Sequence, residues 1–183
     1  MTSHRARRVL PALLPALLPA LLPALLPALL LAFAPFGQLR AQDAAPARTQ
    51  LLALADSALA AITRGDWVGL TDLMIPEAVL FPTRDVNGAP TYVARSREAQ
   101  RTTSNTAKIT ERGYDGEVRI AGRTATVWLP YDLYVNDKWS HCGVDTFLMV
   151  QTPAGWRIAS MTWSVEQPPA CRKHPSGPPP LAK

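Results

Sequence analysis

The sequence predicts an α+β domain, a few N-terminal helices gathered on one face of a long antiparallel sheet. Three observations predict it. Apolar residues recur at helical spacing between Leu51 and Ile62. From Ile120 to Val165, three runs rich in β-branched and aromatic residues alternate with short turn clusters, as in an antiparallel meander. Beyond its first 41 residues the 183-residue chain retains about 140, the size of one domain.

Residues 1–41 read as an export leader. Arg5, Arg7 and Arg8 precede an apolar stretch in which Pro-Ala-Leu-Leu repeats five times from Pro11 to Leu30, and Leu39-Arg40-Ala41 offers a cleavage site before Gln42. The repeat exceeds the usual apolar length of roughly 7–15 residues, so a retained membrane anchor is the alternative. Proline at every fourth position removes backbone donors and argues against a spanning helix. Export to the periplasm or beyond is expected, with membrane contact only if the leader stays. The leader also distorts the charge. The chain is formally +5, but without residues 1–42 its 19 basic residues fall to 15 against 14 acidic ones. A nearly neutral domain has no electrostatic case for nucleic acid.

The remaining elements follow in order. Residues 42–47 are a polar lead-in to a domain spanning residues 48–167. Leu51, Leu54, Ala55, Ala58, Leu59 and Ile62 mark an amphipathic helix that Gly65 stops. Asp66 caps a shorter helix carrying Trp67, Leu70 and Leu73, ended by Pro76. Ala78–Phe81 is a short strand, and residues 82–90, with Asn87-Gly88, form a turn or hairpin loop. Ser96 caps a third helix to about Thr103, poor in apolar residues and so a candidate flap. Two strands, Lys108–Arg112 and Glu117–Ile120, flank Gly113-Tyr-Asp-Gly116 before the meander. The tail, residues 168–183, is rich in proline and expected to be disordered except where Cys171 holds it.

Turns at Val135-Asn-Asp-Lys138 and Pro153-Ala-Gly155 set the register of the meander. Ordinary hairpins there place Asp145 between Leu129 and Trp163. Alternation then gives one face to Val127, Leu129, Tyr131, Leu133, Asp145, Phe147, Met149, Ala159, Met161 and Trp163. The opposite face takes Trp128, Asp132, Tyr134, Leu148, Val150, Trp156 and Ile158 among serines and threonines. The first face is apolar around one carboxylate; the second is too apolar to be fully wet. The only two cysteines, Cys142 and Cys171, lie where strand ends meet, and in an exported chain they are expected to pair. Such a loop closure contributes on the order of 3 kcal/mol.

Asp66-Trp67, Val127-Trp-Leu-Pro-Tyr131, His141-Cys-Gly-Val-Asp145 and Gly155-Trp-Arg-Ile158 together resemble the exported bacterial members of the NTF2-like superfamily, the SnoaL-like or lumazine-binding-like domains. The resemblance covers roughly residues 48–166. It implies a strongly bent sheet wrapped into a cone around about three N-terminal helices, with a small apolar ligand or an active site at the open end. It also implies homodimers paired sheet to sheet, which would cover the second face.

Asp145 is the leading chemical candidate, because a carboxyl among Leu129, Phe147, Met161 and Trp163 is desolvated and its pKa raised, as a general base requires. The structural alternative is an Asp satisfied by Arg97, a Tyr hydroxyl or backbone amides. Tyr131 can polarise a carbonyl and His141 can share a proton, or both can be structural. Arg97 can meet an anionic ligand or neutralise Asp145. Trp128 and Trp163 read first as packing residues. Outside the leader the only other histidine is His174, too few ligands for zinc; neither metal nor cofactor is expected. The leading expectation is a non-catalytic domain holding a small hydrophobic or aromatic molecule against Leu129, Tyr131, Asp145, Phe147, Met161, Trp163 and Arg97. The alternatives are a SnoaL-like isomerase, dehydratase or hydratase with Asp145 as base and Tyr131 or His141 as partner, and a protein-interaction module.

Overall fold

Helix α1, Phe36–Arg64, is the element around which the sheet curls. The structure, a computed structural model, describes residues 36–180, so the leader reading up to residue 35 lies outside the described residues. The helix begins well before the expected start at Leu51 and runs through the polar stretch 42–47, with Pro46 inside it. Leu51, Ala55, Ala58, Leu59, Ala61 and Ile62 are buried against the sheet, and the three alanines let the helix axis approach it closely. Gly65 ends the helix in the left-handed region, at φ 66°.

Asp66 then caps α2, Trp67–Asp72, by accepting from the Gly69 N–H at 2.7 Å. This helix ends four residues before Pro76, and Pro76 instead lies inside strand β1, Met74–Val86, which is 13 residues long rather than the short strand expected at 78–81. Asn87 and Gly88, both at positive φ, turn β1 into β2, Ala89–Tyr92. Strand β3, Arg95–Ser96, pairs with β1, and Ser96 caps α3, Arg97–Arg101. The third helix is no free flap. Arg97 Nε donates to the Thr71 carbonyl at 2.8 Å, and Arg101 meets Asp72 at 2.6 Å, so α3 is fastened to α2.

Strands β4, Ile109–Gly113, and β5, Glu117–Ala121, pair with successive halves of β6, Thr124–Val135. Between them the backbone passes close to leucine side chains: a Cβ on Gly113 or Gly116 would lie 2.7 Å from a leucine methyl, that of Leu129 or Leu52. The meander continues through β7, Lys138–Thr152, and β8, Gly155–Trp163. The sheet order is β2-β1-β8-β7-β6-β4, with the β1–β8 pair parallel. From Arg40 onward the chain forms one compact unit. No helix of the described residues is long and apolar enough to cross a membrane.

The expected register holds at the centre of the meander: Leu129 pairs with Asp145, and Asp145 with Trp163. Beyond it, two bulges change the faces. Between Leu148 and Met149 the ladder to β8 gains one residue, Ala159, so Met149 faces Ile158. Trp156 and Ile158 are therefore buried in the core, not on the outer face assigned from simple alternation, and Ala159 is not a core residue. At the other end Ser140 is the extra residue, so Leu133 pairs with His141 and Tyr134 with Trp139.

The tail is also more ordered than its proline content implies. Cys142 and Cys171 form a disulfide, with Cα atoms 5.7 Å apart. Beside it the tail docks on the outer side of β4 and β6. Tyr114 Oη donates to the Arg172 carbonyl at 2.6 Å, and the His174 N–H donates to Asp132 Oδ2 at 3.1 Å. Asp132, fully buried, also receives two bonds from Arg112, at 2.6 and 3.0 Å. Replacing both cysteines by serine is predicted to lower urea-unfolding stability by about 3 kcal/mol and to abolish any effect of reductant; a wild-type midpoint indifferent to reductant would contradict the bond.

Candidate functional site

The open end of the curled sheet encloses a cavity of about 540 Å³ between α1, α2, β1 and the meander. Its apolar wall is Trp67, Leu70, Leu80, Met161 and Trp163. Each arrives there for a local reason. The Asp66 cap starts α2 so that Trp67 and Leu70, three residues apart, share its inner face. Leu80 and Met161 are register partners across the parallel β1–β8 pair, and Pro82 partners Trp163. Tyr131, Leu133 and His141 line the same space from β6 and β7.

The acid that lines this space is Glu111 of β4, opposite Leu133 in the ladder and thus on the cavity side. Its backbone is fixed by Thr63, whose hydroxyl donates to the Glu111 carbonyl at 3.2 Å and accepts from its N–H at 3.0 Å. Burial pushes the Glu111 carboxyl up to about 8, so at neutral pH it is mostly an uncharged acid able to donate a hydrogen bond.

Asp145 is fully buried, and neither of its oxygens has a hydrogen-bond partner among the described residues. Burial first, and the nearby Glu111 second, raise its pKa well above the usual carboxylate range. The two acids therefore form a buried pair that shares the cost of ionisation. Asp145 itself does not line the cavity. Nor is it satisfied in any of the ways expected. Arg97 turns to the Thr71 carbonyl and, at 3.6 Å, to Asp72, while the Tyr131 hydroxyl donates to the Ser164 carbonyl at 2.7 Å. Gly143 makes that last bond reachable, since a Cβ there would collide with the same carbonyl.

Of the residues singled out from sequence, the structure brings Tyr131, His141, Met161 and Trp163 together around the cavity. Leu129 and Phe147 lie instead in the packed core, and Arg97 lies outside. Tyr131 and His141 meet edge to face, with ring centroids 5.8 Å apart. Burial lowers the His141 pKa, which favours a neutral ring, and its Nδ1 is 2.9 Å from the Ser140 hydroxyl. Burial, Asp145 and Glu111 raise the Tyr131 pKa, so its phenol stays protonated. Sequence reasoning missed Glu111, Trp67, Arg84, Arg95 and Gln100. Among the described residues no group of three or more His, Cys, Asp or Glu is placed to hold a metal ion.

A family model described as "SnoaL-like domain" matches residues 51–168. The chain belongs to the SnoaL-like domain family. Solved structures agree on the fold. An NTF2-like protein with a cystatin-like fold from Novosphingobium aromaticivorans superposes with a TM-score of 0.58 at 16% identity, covering 73% of this chain and 92% of that one. An NTF2-like protein of unknown function from Pseudomonas putida gives 0.56 at 13% identity, covering 74% and 98%. A putative dehydratase from the NTF2-like family of Streptomyces avermitilis gives 0.51 at 19% identity, covering 66% and 96%. At these identities the likeness establishes the fold alone: this SnoaL-like domain is an NTF2-like cone. Among curated proteins no sequence matches the chain.

The raised Glu111 pKa has a signed consequence for stability. Below about pH 4.5 the carboxyl is protonated whether the chain is folded or not. As pH rises from 4.5 toward 8, the folded chain holds a proton that the unfolded chain has lost, so stability falls, and above 8 the full penalty remains. Glu111→Gln is predicted to match wild type within about 1 kcal/mol at pH 4.5 and to exceed it by several kcal/mol at pH 8.5. Urea unfolding at the two pH values checks this, and parallel losses in both proteins would contradict it.

Proposed function

We propose that this SnoaL-like domain binds a small hydrophobic or aromatic molecule in its cone, with the Glu111 carboxyl bonding to the molecule's buried polar group. The observation that carries the reading is the 540 Å³ cavity, walled by Trp67, Leu70, Leu80, Met161 and Trp163 and holding a single acid, Glu111. An apolar wall with one orienting polar group suits a ring system carrying an oxygen. Protein purified from its own cells is predicted to carry one small non-covalent molecule per chain in native mass spectrometry. A chain that stays empty there, and whose Tm does not move with any member of a library of apolar ring compounds, would end this reading.

A second reading is proton-transfer catalysis, favoured by one observation: Glu111 lines the cavity with a pKa near 8, suited to a general acid or base at neutral pH. In this reading Glu111, not Asp145, moves the proton, and burial keeps Glu111 from ionising at lower pH. The neighbouring fold of a putative dehydratase is compatible with it. Deuterium exchange at the α-carbon of a bound cyclic ketone would rise through about pH 8 and drop at least 100-fold in Glu111→Gln; equal exchange in wild type and variant would exclude it.

The basic, apolar leader and the Cys142–Cys171 bond support export. A homodimer paired through the convex face is supported by Trp128 and Leu148, diagonal neighbours there that are 51% and 42% exposed. Light scattering of the folded chain is predicted to give a dimer mass, and Trp128→Glu a monomer; a wild-type monomer at micromolar concentration would contradict the pairing.

A further inference from the structure

The cavity lining includes two arginines that the apolar reading leaves unused. Arg84 on β1 and Arg95 on β3 both line it. Arg95 is held in place from behind, because its Nη1 donates at 2.7 Å to Oε1 of Gln100, a side chain only 3% exposed on α3. That bond uses one of the five guanidinium donors. Neither arginine side chain makes any other hydrogen bond among the described residues. The ion pairs of the described residues engage Arg64, Arg97, Arg101, Lys108, Arg112 and Arg172, and leave Arg84 and Arg95 without a carboxylate within 4.0 Å.

The contrast with the neighbouring arginines is informative. Arg97 and Arg101, on the next turn of chain, are both tied to Asp72, so α3 is anchored without Arg95. Arg95 is instead spread along the cavity wall, fixed by a buried amide whose own partner it is. A guanidinium immobilised in this way loses less freedom when it binds an anion, which raises its contribution. Glu111 is the one acid among the lining residues and makes no ion pair with either arginine. With Glu111 uncharged and His141 neutral, the lining carries two positive charges and no negative one at neutral pH.

We propose that the molecule taken into the cone is an amphipathic organic anion, its apolar ring body against Trp67, Leu80, Met161 and Trp163 and its acidic group bonded by Arg95 and Arg84. This deepens the binding reading above and rests on it. Carboxylate, sulfonate and phosphate share the required chemistry, planar or tripodal oxygens facing a guanidinium fork.

The test uses two fluorescent probes with the same body. 1-Anilinonaphthalene-8-sulfonate carries an anionic group and N-phenyl-1-naphthylamine does not, and both brighten in an apolar site. At low salt the sulfonate is expected to bind one-to-one and about tenfold more tightly than the neutral probe. Arg95→Met is expected to remove that advantage and Arg84→Met to reduce it severalfold, with neutral-probe affinity within twofold of wild type in both. Equal binding of the two probes, or sulfonate affinity unchanged in both variants, would overturn the proposal while leaving the apolar-ligand reading intact. Binding of neither probe by wild type would bring down that reading and the proposal together. Where Arg95→Met loses both probes through damage to the Gln100 contact, Arg84→Met, an exposed side chain with no protein partner, decides on the same criterion.

Discussion

The cross-strand alignment of Leu129, Asp145 and Trp163 is the constraint on which the rest of the molecule depends. Side chains on a sheet alternate, so fixing this row fixes the neighbouring rows of β6, β7 and β8 as far as the bulges at Ser140 and Ala159. With this row turned inward, Val127, Phe147 and Met161 follow it and give α1 an apolar surface to bury against. The same row carries a carboxyl into a place where none of the described residues bonds to it. A slip by one residue would put Asp145 in water and Trp128 in the core, relieving the acid at the expense of the helix's whole binding surface. Burial of several large side chains, each contributing roughly 1.5–3 kcal/mol, outweighs one acid that lowers its penalty by staying protonated.

The two buried aspartates, Asp132 on β6 and Asp145 on β7, lie in opposite environments. Asp132 is as inaccessible as Asp145, yet it accepts two bonds from Arg112 and one from the His174 N–H. Its partners arrive because the disulfide draws the tail across β6, so a residue 42 positions later completes its shell. Asp145 has no such provision and has Glu111 near it, which raises its pKa further. Asp132 is surrounded by donors; Asp145 is left bare among the described residues, with Glu111 as its charged neighbour when that acid ionises.

Much of this was legible in the chain. Turn chemistry at Val135–Lys138 and Pro153–Gly155 set the central register, because Asn136 and Asp137 accept the positive φ of a tight hairpin. The caps at Asp66 and Ser96 and the cysteine pair were readable for similarly local reasons. The bulges were not, since Ser140 and Ala159 are ordinary strand residues and nothing in their chemistry announces an extra one. Glu111 was hidden differently. In the run Ile-Thr-Glu-Arg-Gly it looks like a wet edge-strand charge, and only the pairing of β4 with the far half of β6 turns it inward opposite Leu133. Arg95 needed two non-local facts, the β1–β3 pair and the burial of Gln100, before it could be told from the surface arginines around it.

The central claim is that the cone holds an uncharged acid pair beside its apolar cavity, and carboxyl carbon NMR tests it most directly. With glutamate and aspartate side-chain carboxyls labelled, the Glu111 resonance, assigned by its loss in Glu111→Gln, should titrate with a midpoint near 8, and Asp145 should remain protonated through neutral pH. A Glu111 midpoint near 4.5, with Asp145 ionised at pH 7, would contradict the account.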